Sequence, residues 1–229
     1  MATASRLLGA QVGVDPPTCA AGPAFPGARR DGCALNGFVV PPTGGQDGAV
    51  TGTVTELRIA HTADLDSATR VAARELLYDA FDDMTDADWE HALGGVHALV
   101  WQGAELIGHA SVIQRRLMTG GRALRAGYVE GVAVRADRRG RGHGAAMMDA
   151  LEQVVRGAYD LGALGAADAA AAFYAARGWR LWQGRLSALT PAGVEPTPDE
   201  NGAIFVLPLA VPLDLCAELT CGWRDGDVW

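Results

Sequence analysis

The order of apolar and polar positions separates the chain into two unequal parts. Residues 1–52 show no apolar periodicity and are punctuated by PP at 16–17, PAFPGARRDG at 23–32 and PPTGGQDG at 41–48. Segments of this kind do not bury enough surface to fold, so a disordered extension is expected there. A start at Val50 or Val54 is the alternative reading of the same boundary. From residue 53 the pattern changes. VTELRIA (54–60) predicts a strand, and Leu65, Ala68, Ala72 and Leu76 fall at helical spacing. DMTDADWEHAL (83–93) predicts a short second helix. Three consecutive strands follow at 96–102, 105–118 and 123–135, the first two joined by a turn at Gln102-Gly103-Ala104. A helix is expected from about Gly144 to Tyr159, with Met148, Leu151 and Val155 on its apolar face and Glu152 and Arg156 outside it. LGALG (161–165) predicts a strand and 168–178 a helix, with Asp168 as N-cap and Gly178 just past its end. Strands at 185–189 and 203–209 close the pattern. Antiparallel strands followed by a strand–helix–strand unit indicate an α/β domain with a mixed sheet, here residues 53–229.

Composition narrows the classes. Apolar residues make up 49% of the 229, enough for a sizeable core, yet no apolar run is long enough to span a bilayer. The block after Arg6 is too short for a signal-peptide core, so a cytoplasmic protein is expected. Cys19, Cys33, Cys216 and Cys221 form no CxxC pair and no Cys/His group has zinc spacing, so reduced thiols and no metal are expected. The five histidines show no ligand spacing; His143, inside the glycine-rich turn, offers a weak anion contact, and His61, His91, His97 and His109 are expected to be structural or exposed. Lys and Arg total 19 against 27 Asp and Glu, a formal charge of -8. Nucleic-acid binding needs many cationic phosphate contacts and suits this balance poorly; a cationic ligand suits it well.

One basic stretch interrupts the acidic chain. A strand ends in DRRGRGHG (137–144) and a helix begins there. A helix N-terminus presents unpaired N–H groups and partial positive charge, and glycines let an anion approach them. The turn reads as a phosphate cradle rather than a nucleic-acid patch, because Arg138, Arg139 and Arg141 are concentrated at one helix start. No Gly-Lys-Ser/Thr follows, and hairpins rather than a βαβ unit precede it, which excludes the nucleotide-triphosphate loop and the dinucleotide fingerprint.

The strand–RxxGxG–helix unit, with FYAARGW at 173–179, resembles the GNAT superfamily of acetyltransferases. YVEGVAVRAD (128–137), RGAYDLGAL (156–164), YAARGW (174–179), TPDENG (197–202) and CGWRDGDVW (221–229) resemble, more narrowly, the aminoglycoside 2′-N-acetyltransferases of mycobacteria and related bacteria. The resemblance implies a GNAT fold, a mixed and mostly antiparallel sheet flanked by helices, with a splayed cofactor-binding strand. It implies acetyl-CoA as co-substrate, its pyrophosphate on Arg139, Gly140, Arg141, Gly142 and Gly144 and its pantetheine arm along Val132, Ala133 and Val134. Glu130 is implied as general base acting through water, the Val132 N–H as oxyanion donor, and Tyr174 as general acid. Asp83, Asp88, Glu130, Glu200, Asp227 and the C-terminal carboxylate of Trp229 are implied as ligands of a cationic aminoglycoside. A homodimer is implied too. The chain departs from the pattern at Gly165, where a serine is expected, and at Glu200, where an aspartate is usual. Two other readings remain: the same fold acting on another amine, such as a cell-wall sugar or small metabolite, and an acyl-CoA-binding protein without turnover.

Overall fold

The computed structural model describes residues 54–229, so the expectation for 1–52 lies outside the described residues. Ten strands form one curled sheet: β1 (Thr55–His61), β2 (Val96–Gln102), β3 (Glu105–Thr119), β4 (Arg122–Val134), β5 (Leu161–Gly165), β6 (Arg180–Leu181), β7 (Leu186–Thr190), β8 (Gly193–Pro196), β9 (Ile204–Pro208) and β10 (Leu219–Gly222). Four helices flank it: α1 (Ser67–Ala80), α2 (Asp86–His91), α3 (His143–Ala158) and α4 (Asp168–Ala176).

β3 is the long member. One edge pairs with β4 from Gly108 to Thr119, and the other carries β2 along its first half and β10 near its end. All neighbours are antiparallel except β4–β5 and β7–β10. Helices cover both faces of the sheet, which explains why the strands read as near-continuous apolar runs rather than alternating ones. Adjacent residues serve opposite sides. Leu99, Leu106 and Ala133 pack with Leu77 of α1 and Trp89 of α2. Their chain neighbours Val100, Ile107 and Val132 pack with Met147 and Leu151 of α3 and Tyr174 of α4. A third cluster joins Leu117, Tyr128, Trp182 and Leu219 to Trp229.

Several details differ from the expected pattern. α2 is shorter than 83–93 because Thr85 caps it: its hydroxyl accepts from the Asp88 N–H while the Asp88 carboxylate accepts from Thr85 N–H. α4 is capped at Ala167, with Asp168 as its first residue. Glu152 is buried rather than outside the apolar face, because Trp179 Nε1 and Arg177 Nε donate to its carboxylate at 2.9 and 2.8 Å. Cys221 is a free buried thiol, whereas Cys216 is disulfide-bonded and not reduced as expected.

Candidate active site

The site grows from β4. Its pairing with β5 covers only Ala126–Tyr128 against Leu161–Ala163; beyond Tyr128 the two parallel strands part. On the other edge, Glu130 lies opposite Ser111 and Ala133 opposite His109, so β4 carries one extra residue at Gly131 and Val132. Gly131 has φ +56°, the left-handed conformation that such a bulge requires. A side chain here would press on Leu77, whose Cδ1 would lie 3.0 Å from a Cβ. Val132, Ala133 and Val134 follow the bulge along the splayed part of the strand. Backbone amides and carbonyls on a free strand edge can pair with an extended ligand arm.

The chain then turns through residues 135–142 into α3. Gly140 and Gly142 have φ +74° and +84°, and no side chain caps the helix. A Cβ at Gly140, Gly142 or Gly144 would meet nothing within 4 Å. The cradle is therefore open backbone at the start of a sixteen-residue helix. Arg139 Nε donates to Val134 O at 3.0 Å and Arg141 to Asp137 O at 3.3 Å, which leaves both exposed guanidiniums their remaining donors. Arg138 has a different role: it bonds Gln102 and pairs with Asp137.

Glu130 sits one residue before the bulge, its side chain only 15% exposed. Burial pushes its pKa up to about 6, against the opposing pull of Arg224 and Arg115. Arg224, absent from the sequence expectation, donates to the Glu130 carboxylate at 2.5 Å. The same guanidinium bonds the Asp227 carbonyl and the terminal carboxylate of Trp229, and lies over the Tyr128 ring. Arg115 stacks on that ring too and donates to Gly222 O and Val228 O at 2.9 and 2.6 Å. Two arginines thus clamp residues 222–229 against Glu130 and Tyr128. The only sequence signal for Arg224 was its place inside the CGWRDGDVW terminus.

The tail closes one side. Trp229 is 4% exposed and its indole donates to Thr197 Oγ1 at 2.8 Å. Asp227 Oδ1 accepts from Trp229 N. Glu200, in the 3-10 turn Pro198–Glu200, is half-buried; burial and the charges of Asp227 and Asp199 raise its pKa to about 7. A carboxylate in that state gains from any cation placed beside it. Asp88 joins at one remove: it faces His91 at 3.9 Å, and His91 Nε2 meets Asp225 O at 2.7 Å. Asp83 is exposed on the turn before α2 and shares none of these contacts.

Tyr174 is buried in α4, its ring edge-on to Phe173 and Trp179. Burial pushes its hydroxyl up to about pKa 12, so it remains a proton donor at neutral pH. The Glu152–Trp179–Arg177 network ties the end of α4 to α3 and holds the tyrosine at the Val132 side of the sheet. At Gly165 a Cβ would lie 3.8 Å from the Tyr128 hydroxyl, which is buried without a hydrogen-bond partner. The serine expected there would have given that hydroxyl one. Among the described residues no His, Cys, Asp or Glu cluster could hold a metal ion.

Comparison with known proteins bears on what this arrangement serves. Residues 59–182 match the model of the acetyltransferase (GNAT) domain. An aminoglycoside 2′-N-acetyltransferase of Mycolicibacterium fortuitum is 56% identical over 177 residues, covering 75% of this chain and 91% of that protein. Two solved structures align more distantly. Eis1 from Mycobacterium abscessus does so at TM-score 0.49 and 20% identity, over 58% of this chain and 33% of its own. The ribosomal-protein-S18-alanine N-acetyltransferase from Escherichia coli does so at TM-score 0.47 and 18% identity, over 69% and 97%. With more than half of the chain matching the domain model and one curated relative matched over most of its length, the protein belongs to the GNAT acetyltransferases and, within them, to the aminoglycoside 2′-N-acetyltransferase family.

Proposed function

We propose that this protein N-acetylates the 2′-amine of aminoglycoside antibiotics with acetyl-CoA, by direct transfer in a ternary complex. Bound acetyl-CoA supplies an activated acetyl group. The open glycine cradle fits its pyrophosphate: Gly140, Gly142 and Gly144 leave room for an anion, and Arg139 and Arg141 add charge-assisted donors. Val132, Ala133 and Val134 pair with its arm along the splayed edge. Glu130 takes a proton from the ammonium through water, its raised pKa keeping it basic enough for the task. The Val132 N–H meets the charge that develops on the acetyl oxygen. Tyr174 gives a proton to the departing sulfur. Glu200, Asp227, the terminal carboxylate of Trp229 and Asp88 form the anionic wall for the remaining ammonium groups, and the family resemblance adds Asp83.

The observation that carries this reading is the burial of Glu130 between the bulge and an acidic tail, in a chain 56% identical to an enzyme of that name. An acetyl-CoA assay across aminoglycosides with and without a 2′-amine tests it, with the acetylated position read by NMR. Acetylation confined to 2′-amines is expected; exclusive turnover of an unrelated amine overturns it. The family resemblance further supports a homodimer and a cytoplasmic site of action. No described helix is long and apolar enough to cross a membrane. Light scattering tests the dimer.

A further inference from the structure

Two buried histidines lie beside the site with no part in the chemistry above. His97 of β2 and His109 of β3 are both 0% exposed. His97 Nδ1 and His109 Nε2 are 3.0 Å apart, and His109 Nδ1 lies 2.9 Å from the carbonyl of Gly131. At the other end, Thr62 Oγ1 is 2.7 Å from His97 Nε2. Burial holds both rings neutral, with pKa values of about 3 and about 4.

The hydrogens of this line can be placed by elimination. A carbonyl only accepts, so His109 carries its proton on Nδ1 and accepts at Nε2. His97 must then donate from Nδ1 and accept at Nε2. The Thr62 hydroxyl has two acceptors within reach, the Gly95 carbonyl at 3.2 Å and His97 Nε2 at 2.7 Å; its one proton goes to the nearer, His97 Nε2, which has no other donor. Thr62 Oγ1 accepts in turn from Gly94 N–H at 2.9 Å and Gly95 N–H at 3.2 Å. Each ring nitrogen is satisfied and the line has one direction, running from the loop before β2 to the bulge. A buried polar chain is costly unless complete, and a complete one is rigid.

Its end point matters. The Gly131 carbonyl belongs to the same peptide unit as the Val132 N–H. Among the described residues no peptide is cis, and in a planar trans unit C=O and N–H point in opposite directions. Holding the carbonyl toward His109 therefore aims the Val132 N–H away from His109. The Val132 side chain packs in the cluster that contains Tyr174, while His109 stands beside Trp89 on the opposite face. A donor on the carbonyl also polarises the amide and strengthens its N–H as a donor. The left-handed Gly131 lacks the side chain that would fix this peptide by packing. An outside tether supplies the restraint.

We propose that Thr62, His97 and His109 form a hydrogen-bonded line that sets the orientation of the Gly131–Val132 peptide. His109 is thereby a positioning residue for the amide that receives the developing oxyanion. This role rests on the acetyltransferase reading; the orientation itself does not.

Three variants test it. His109→Leu removes the donor. His109→Asn keeps an amide nitrogen near the place of Nδ1. Thr62→Val breaks the line at its far end. With His109→Leu, kcat is expected to fall about tenfold or more while both KM values stay within about threefold. His109→Asn restores most of the loss. In the free protein the Val132 amide resonance shifts in His109→Leu, less so in Thr62→Val, and returns toward wild type in His109→Asn. Should His109→Leu not fold, the Thr62→Val resonance decides. An unmoved Val132 resonance in a folded variant overturns the inference, as does equal loss of kcat in His109→Leu and His109→Asn. If the wild-type protein acetylates no amine, the acetyltransferase reading fails, and the Val132 resonance still decides the orientation.

Discussion

Glu130 shows how neighbours set the chemistry of one residue. Burial raises its pKa to about 6, and Arg224, Arg115 and Asp227 act on it from the tail and from β3. The proposed general base works only when ionised, so kcat/KM is expected to fall as pH drops through about 6. Arg224 pulls that value down. Arg224→Met should therefore move the acidic limb of the pH profile to higher pH, and Arg224→Lys should return it; an unmoved limb would assign the limb to another group. Glu200 makes a matching case for stability. Its folded pKa of about 7 exceeds the ordinary value of 4.5, so the folded state binds the extra proton and stability declines as pH rises between the two. Glu200→Gln should raise Tm at pH 8 and leave it nearly unchanged near pH 4, as calorimetry would read. At this scale the sequence was partly legible. Glu130 and Tyr174 stood in motifs of fixed spacing. The partners of Arg224 and Glu152 were not legible, because ion pairs 94 and 25 residues apart in sequence leave no local pattern.

Elements with strong periodicity or long apolar runs are readable from the chain alone. β2 and β5 occupy the residues expected of them, β3 runs one residue further, and β4 and α3 each begin and end one residue earlier. The short strands β6, β8 and β10 escaped: two to four residues carry no period, and β10 is held by β3 and β7 rather than by its own preference. The glycine turn was legible because its requirement is local. φ values of +74° and +84° need glycine, and an uncapped helix start needs a ligand or water. Arg139→Ala with Arg141→Ala should raise KM for acetyl-CoA at least about tenfold, as loss of two charge-assisted contacts implies. KM for the aminoglycoside should change little in the same steady-state assay. The reverse ranking would mean that the turn holds the antibiotic.

The whole molecule joins a basic cradle to an acidic tail through one strand. The net charge of -8 suggested a cationic ligand but could not say where the acids converge. That depended on β10 entering the sheet between β3 and β7 and returning the last residues to Glu130. Trp229 fixes that return by burial against Leu117, Trp182 and Leu219. Trp229→Ala should cost about 3–5 kcal/mol in denaturant unfolding. It should also raise KM for the aminoglycoside more than that for acetyl-CoA. Equal effects on both would make the tail a scaffold only.

The Arg224–Glu130 pair has a consequence for which amines compete well. The pocket already contains a cation of its own. An incoming ammonium that merely replaces the guanidinium exchanges one ion pair for another and gains little. A ligand gains only by bringing further positive charges to Asp227 and Glu200, which repel each other while unpaired. On the proposed function such a site is expected to discriminate by valence: a monoamine would meet an internal rival, and a polycation would prevail through the charges it carries beyond the first.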